Sequence, residues 1–164
     1  MARAHPSFAL RPFLPDDAPV LADIFRASIE ELTGDDYTQE QQQAWAAAAD
    51  DLTEFAERLA SRLSLVATLE GSPVGFAALE GADKIDMLYV HPAVTGQGVG
   101  AMLINALERL AAARGAAKLV VQASDSASGF FQHRGFLAQT RNTVLRGDEW
   151  LANTTMEKKL KEPA

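Results

Sequence analysis

The chain has 164 residues, 48% of them hydrophobic and 23% charged, which suits one globular unit and excludes a largely disordered chain. Its formal charge is −7, the wrong overall sign for a nucleic-acid backbone, although a local basic patch can still hold one phosphorylated ligand. Cysteine is absent, which removes disulfides, thiolate metal sites and a protein thiol nucleophile together.

The opening Met-Ala-Arg-Ala-His-Pro turns polar too soon to hold a signal-peptide apolar region. No stretch approaches the roughly 18 uninterrupted apolar residues of a membrane span. The expectation is therefore a single cytoplasmic domain over 1–164, bound neither to membrane nor to nucleic acid. His5, His91 and His133 are too scattered to predict a metal site.

Phe8, Leu10 and Phe13 alternate as a short edge strand that Pro15 stops. Asp16 or Asp17 is placed to cap a helix carrying Val20, Leu21, Ile24, Phe25, Ile29 and Leu32, which Gly34-Asp35-Asp36 breaks. Thr38 and Gln41 have capping-box spacing before a second helix through Trp45, and Asp51 and Glu54 repeat that spacing before a third. From Leu63 the period changes to two. Strands are predicted over 65–69 and 74–79 around a Gly71-Ser72-Pro73 turn, then over 84–90, ended by His91-Pro92. An amphipathic helix follows through Leu103, Leu107 and Ala111 and stops at Arg114-Gly115. A strand over 118–123, a short helix over 126–133 and two strands over 137–145 and 151–160 complete the chain. This order predicts a mixed α/β (α+β) layer and not a regular βαβ repeat.

Thr95-Gly96-Gln97-Gly98-Val99-Gly100 joins a strand to a helix. Glycines there let the backbone approach a ligand, and the free amides of a helix N-terminus suit a pyrophosphate. The spacing fits neither the dinucleotide fingerprint nor a P-loop. The segment Leu88-Tyr89-Val90-His91-Pro92, then Thr95-Gly96-Gln97-Gly98-Val99-Gly100, resembles the central motif of the GNAT superfamily of acyl-CoA-dependent N-acetyltransferases. About 30 residues later, Ala127-Ser128-Gly129-Phe130-Phe131-Gln132-His133-Arg134-Gly135-Phe136 resembles its second motif. The C-terminal Asn142, Arg146-Gly147, Asn153 and Met156-Glu157-Lys158 look like a bacterial, uncharacterised subgroup. Two departures stand out. Thr95 occupies the position of a usual Arg or Gln, and Phe131 that of a Tyr which in many members protonates the departing thiolate.

The resemblance implies a central mixed, largely antiparallel sheet flanked by helices, with a splayed strand pair that binds acetyl-CoA and needs no metal. It implies a bulge near Leu88–Val90, where free backbone groups of Leu88, Tyr89 and Val90 take the pantetheine arm. Gly96, Gln97, Gly98, Val99, Gly100 and Ala101 are then the pyrophosphate cradle. Ser124, Phe131, His133 and Arg134 fall where further contacts to the cofactor are expected.

An amine of pKa about 10.4 is only about 0.04% neutral at pH 7, a deficit of about 4.6 kcal/mol, so a carboxylate acting directly or through water is expected. Asp86 is the first candidate because strand parity sets it on the face of Leu88 and Val90; Glu30 and Glu31 on the first helix follow, then Asp36 and Glu80. Tyr37 and Trp45 are candidates for the acceptor wall, and Tyr89 for a replacement proton donor. The predicted function is direct acetyl transfer from acetyl-CoA to a small-molecule or peptide amine in a ternary complex. The alternative is an acetyl-CoA-binding sensor with weak turnover, and a homodimer is left open. The net charge favours a cationic acceptor by steering.

Overall fold

The computed structural model describes residues 7–160; the N-terminal hexapeptide, with His5, lies outside them. The elements run β1 (Phe8–Pro12), α1 (Ala18–Leu32), α2 (Gln39–Ala46), α3 (Leu52–Ala60), β2 (Leu63–Leu69), β3 (Ser72–Glu80), β4 (Lys84–Val90), α4 (Val99–Ala113), β5 (Lys118–Ser124), α5 (Ser128–His133), β6 (Leu137–Arg146) and β7 (Glu149–Lys159). They form a seven-stranded sheet in the order β1-β2-β3-β4-β5-β7-β6. Every neighbouring pair is antiparallel except β4–β5. No helix among the described residues is long and apolar enough to cross a membrane.

The central strands are covered on both faces because their side chains alternate between two apolar clusters. On β3, Phe76 and Ala78 join Leu21, Phe25 and Ile29 of α1 and Phe55 and Leu59 of α3. Ala77 and Leu79 join Leu103, Ile104 and Leu107 of α4 on the opposite face. The N-cap bond forms at both α2 and α3, where the Thr38 hydroxyl accepts from Gln41 N at 3.1 Å and Asp51 accepts from Glu54 N at 3.0 Å. The Glu54 side chain does not return the bond, so the box expected at α3 is only half formed. At Thr38 the box closes, since Gln41 Oε1 accepts from Thr38 N at 2.8 Å.

Three local expectations are corrected. Asp17 stands at the start of α1 but does not cap it; its carboxylate accepts from Leu14 N at 2.8 Å and from both Arg11 nitrogens at 2.7 Å. Arg11 holds that carboxyl below the usual aspartate range, chiefly by hydrogen bonding. The β2–β3 turn is Glu70-Gly71, both at positive φ, so Ser72 and Pro73 already belong to β3. The bulge in β4 lies at Asp86, ahead of the expected Leu88–Val90, because Ile85 pairs with Leu79 and Met87 with Ala78.

That bulge changes which way β4 faces. Ile85, Leu88 and Val90 pack toward α4, whereas Met87 and Tyr89 pack toward α1 and α3. Asp86 reaches Arg58 of α3, so it shares the face of Met87 and Tyr89 and not that of Leu88 and Val90.

Candidate active site

β4 and β5 run parallel for only two residue pairs, Lys84 with Val120 and Ile85 with Val121, and then separate. His91 N donates to Val74 O on the β3 side at 2.8 Å. By alternation Tyr89 also faces β3, which turns the backbone groups of Leu88 and Val90 toward the opening left by β5. A cavity of about 210 Å³ occupies this opening and continues to the α1–α3 face.

Beyond the end of β4, the chain makes a short 3₁₀ turn over Pro92–Val94 and enters α4. Gly96 has φ +81° and Gly98, the N-cap of α4, has φ +89°. A side chain at either would meet nothing within 4 Å, so the backbone there borders open space. No side chain caps α4, which leaves its first amides free for an anion. Gly100 answers a different need: a Cβ there would stand 3.3 Å from the Phe130 ring. The Arg134 guanidinium lies 5.4 Å from the centre of that same ring, so Phe130 brings a cation beside the loop. The residues fit a diphosphate. Val99 is buried in the core and Gln97 and His133 are exposed.

Ser124 and Phe131 both border the cavity. The Ser124 hydroxyl accepts from Ala127 N at 3.1 Å, turning the chain from β5 into α5. Phe131 is 3% exposed and packs between Phe130 and Phe136, each 5.2 Å away between ring centres.

The α1–α3 side of the cavity is aromatic. Trp45 Nε1 donates to the Tyr89 hydroxyl at 3.2 Å, and the Tyr89 ring stacks edge-on to Phe25 with centres 4.7 Å apart. Burial pushes the Tyr89 phenol up to about 12, against the opposing pull of Trp45 and Arg58. Tyr37 donates to Ala152 O at 2.6 Å and accepts from Asp125 N at 2.9 Å, tying the α1–α2 loop to β7 and to the end of β5. Burial raises its pKa as well.

These are the only two tyrosines in the chain, so alkaline titration followed by tyrosinate absorbance reads them directly. Neither is expected to ionise at its ordinary pH of about 10, and Tyr89 waits until about 12. Because the folded pKa of Tyr89 exceeds the unfolded one, its contribution to stability is whole below pH 10 and disappears as pH rises toward 12. Tyr89→Phe should flatten that part of the stability profile; a profile identical to wild type would contradict the burial of this hydroxyl.

Among the sequence-predicted acids, Asp86 borders the cavity, while Glu30 and Glu31 are exposed near the end of α1 and do not. Both Asp86 oxygens accept from Arg58, at 2.9 and 3.1 Å, and Arg62 Nε lies 3.4 Å from one of them. Burial works against the Arg58 charge, and Asp86 more than offsets it, so the guanidinium pKa is raised. Arg58, Arg146 and Asn153 also line the cavity and were not among the predicted residues. The C-terminal pattern contains Arg146 and Asn153 but assigns them no role, and nothing local marks Arg58, because α3, β6 and β7 come together around β4 only in the folded chain.

Residues 33–160 match the family described as Acetyltransferase (GNAT) domain. The chain belongs to the GNAT acetyltransferase family. This GNAT chain is 31% identical over 151 residues to the uncharacterised N-acetyltransferase YafP of Escherichia coli K12, covering 92% of the chain and 95% of that protein. It is 30% identical over 124 residues to the peptidyl-lysine N-acetyltransferase YjaB of Salmonella typhimurium, covering 76% of the chain and 69% of that protein. A crystal structure of a GCN5-related N-acetyltransferase from Rhodopseudomonas palustris superposes with a TM-score of 0.92 at 61% identity, covering 98% of this chain and 99% of that one. PaiA N-acetyltransferase from Thermoplasma acidophilum, solved with coenzyme A, shares the fold with a TM-score of 0.78 at 19% identity, over 93% and 99% of the two chains. The expected fold, with its largely antiparallel sheet flanked by helices, and the expected acetyltransferase activity are thus both met.

Proposed function

We propose that this acetyltransferase takes acetyl-CoA as donor and an amine as acceptor, and transfers the acetyl group directly in a ternary complex within the β4–β5 opening. The observation that carries this is the early separation of β4 from β5. It leaves a cavity lined by Asp86, Leu88, Tyr89, Ser124 and Phe131, and Phe130, the neighbour of Phe131, packs against Gly100 at the start of α4.

The amides from Gly98 to Ala101 hold the diphosphate, and Arg134 supplies the cation that Thr95 does not. Leu88 and Val90 offer their free backbone groups to the amide-bearing arm, as an added strand would. When bound, acetyl-CoA supplies an acetyl group activated as a thioester. The Leu88 and Val90 amides are also the nearby donors for a carbonyl oxygen that gains negative charge. Asp86 accepts the amine proton through a water, since Arg58 occupies one site on each of its oxygens and a carboxylate offers about four. The Phe131 position requires no proton donor, because a thiol of pKa about 8.5 ionises readily.

The test is thiol release from acetyl-CoA with a broad amine panel, run beside a thermal shift with CoA. Amine-dependent release together with stabilisation by CoA is expected. Stabilisation with no release on any amine would replace transfer by the sensor alternative.

A further inference from the structure

The cavity carries a charge opposite to that of the chain. The protein is −7 overall, yet Asp86 is the one carboxylate among the cavity-lining residues, against Arg58, Lys84 and Arg146. Asp86 is committed to Arg58 through both oxygens, and Lys84 has Glu80 at 4.0 Å. Arg146, at the end of β6, is different. Its hydrogen bond among the described residues goes to the neighbouring Leu145 carbonyl at 3.3 Å, and no carboxylate there pairs with it. It is exposed at the cavity rim, close enough to Tyr89 for its charge to act on the phenol.

We propose that the acceptor is a small amine that also bears a carboxylate, and that Arg146 binds this carboxylate and sets the preference. The inference rests on acetyl transfer in the β4–β5 opening as proposed above. The amine must reach the Asp86 and Leu88 end, which leaves the rest of the acceptor against the Trp45 and Tyr89 rings and the β6–β7 end. A guanidinium presents a planar fork that matches a carboxylate through two parallel hydrogen bonds. Arg58 is fixed by Asp86, so Arg146 is the cation with its fork uncommitted. A polyamine would bring a second positive charge against this surplus. The overall negative charge therefore governs encounter with the surface, while the cavity selects by the opposite sign. The cavity of about 210 Å³ also has to take the acetyl end of the donor, so the acceptor it leaves room for is small.

Arg146 would act as a specificity residue that touches the acceptor and takes no part in proton transfer. The experiment measures thiol release from acetyl-CoA with α- and ω-amino acids of two to six carbons, each beside its carboxamide, and with spermidine. Wild type, Arg146→Ala and Arg146→Glu are compared, and comparing each acid–amide ratio between variants removes the difference in amine basicity. The wild type should favour the best acid over its amide by at least about tenfold in kcat/KM. Arg146→Ala should bring that ratio to within about threefold, by raising KM for the acid with kcat nearly constant. Arg146→Glu should reverse the order toward spermidine. Amides or spermidine outpacing every acid in the wild type, or an unchanged ratio in Arg146→Ala, would overturn the inference while leaving acetyl transfer standing. Failure of every amine to release thiol would remove acetyl transfer itself, and this inference with it.

Discussion

Gly98→Val should raise the dissociation constant for CoA well beyond tenfold. Two separate effects act in the same direction. Gly98 holds φ +89°, where a β-branched residue is strained by about 1–3 kcal/mol, so the start of α4 would shift. A side chain there would also fill the open space that meets nothing within 4 Å. Gly98→Asn separates the two, because asparagine tolerates positive φ but still fills the space. Calorimetric titration with CoA should show weak binding for both variants, with Gly98→Asn keeping more of the wild-type melting temperature. Wild-type affinity in a folded Gly98→Asn would show that the diphosphate does not lie over this backbone. Gly100→Asp also weakens binding, but by displacing Phe130, whose ring stands 3.3 Å from the position a Cβ would take. That displacement loosens Arg134, which lies over the same ring.

The difference between those two glycines marks how far the sequence could be read. Gly96 and Gly98 are needed for their own φ, and a strand–glycine–helix pattern reports that locally. The cap at Thr38 is equally local, lying within four residues. Gly100 is small because of Phe130, thirty positions away, and nothing in its neighbourhood reveals that. The direction of Asp86 failed for the same reason. Alternation along β4 places it with Leu88 and Val90, but the register of β3 against β4 inserts a bulge and returns it to the face of Met87. A bulge is a property of a strand pair, so it is not written in either strand alone. The placement of β7 between β5 and β6, and with it the arrival of Arg146 and Asn153 at the cavity, is likewise set by pairing across the sheet. The two motifs point to this end of β4, and Tyr37 and Trp45, expected at the acceptor side, do line the cavity; only packing adds Arg58, Arg146 and Asn153 to its lining.

Asp86→Asn should lower kcat by about 10²–10⁴ without changing CoA affinity, the range expected when a positioned proton acceptor is removed. Its ion pair with Arg58 complicates the reading, since the amide also releases a partly buried guanidinium. The pH dependence separates the roles. If Asp86 takes the amine proton through a water, the loss should be greatest near pH 6 and shrink toward pH 10, where an amine of pKa about 10.4 supplies its own neutral form. If Asp86 serves only to hold Arg58, the loss should be the same at every pH, and Arg58→Ala should reproduce it. Glu30→Gln and Glu31→Gln should stay within about twofold of wild type throughout, because both side chains are exposed and away from the cavity. A large defect in either would mean that the acceptor enters along the end of α1 and that the aromatic cavity is not its route. Full activity in Asp86→Asn with an unchanged pH profile would instead leave the proton to a water held by backbone alone. The ion pair with Arg58 would then be a device that keeps α3 closed over the bulge in β4.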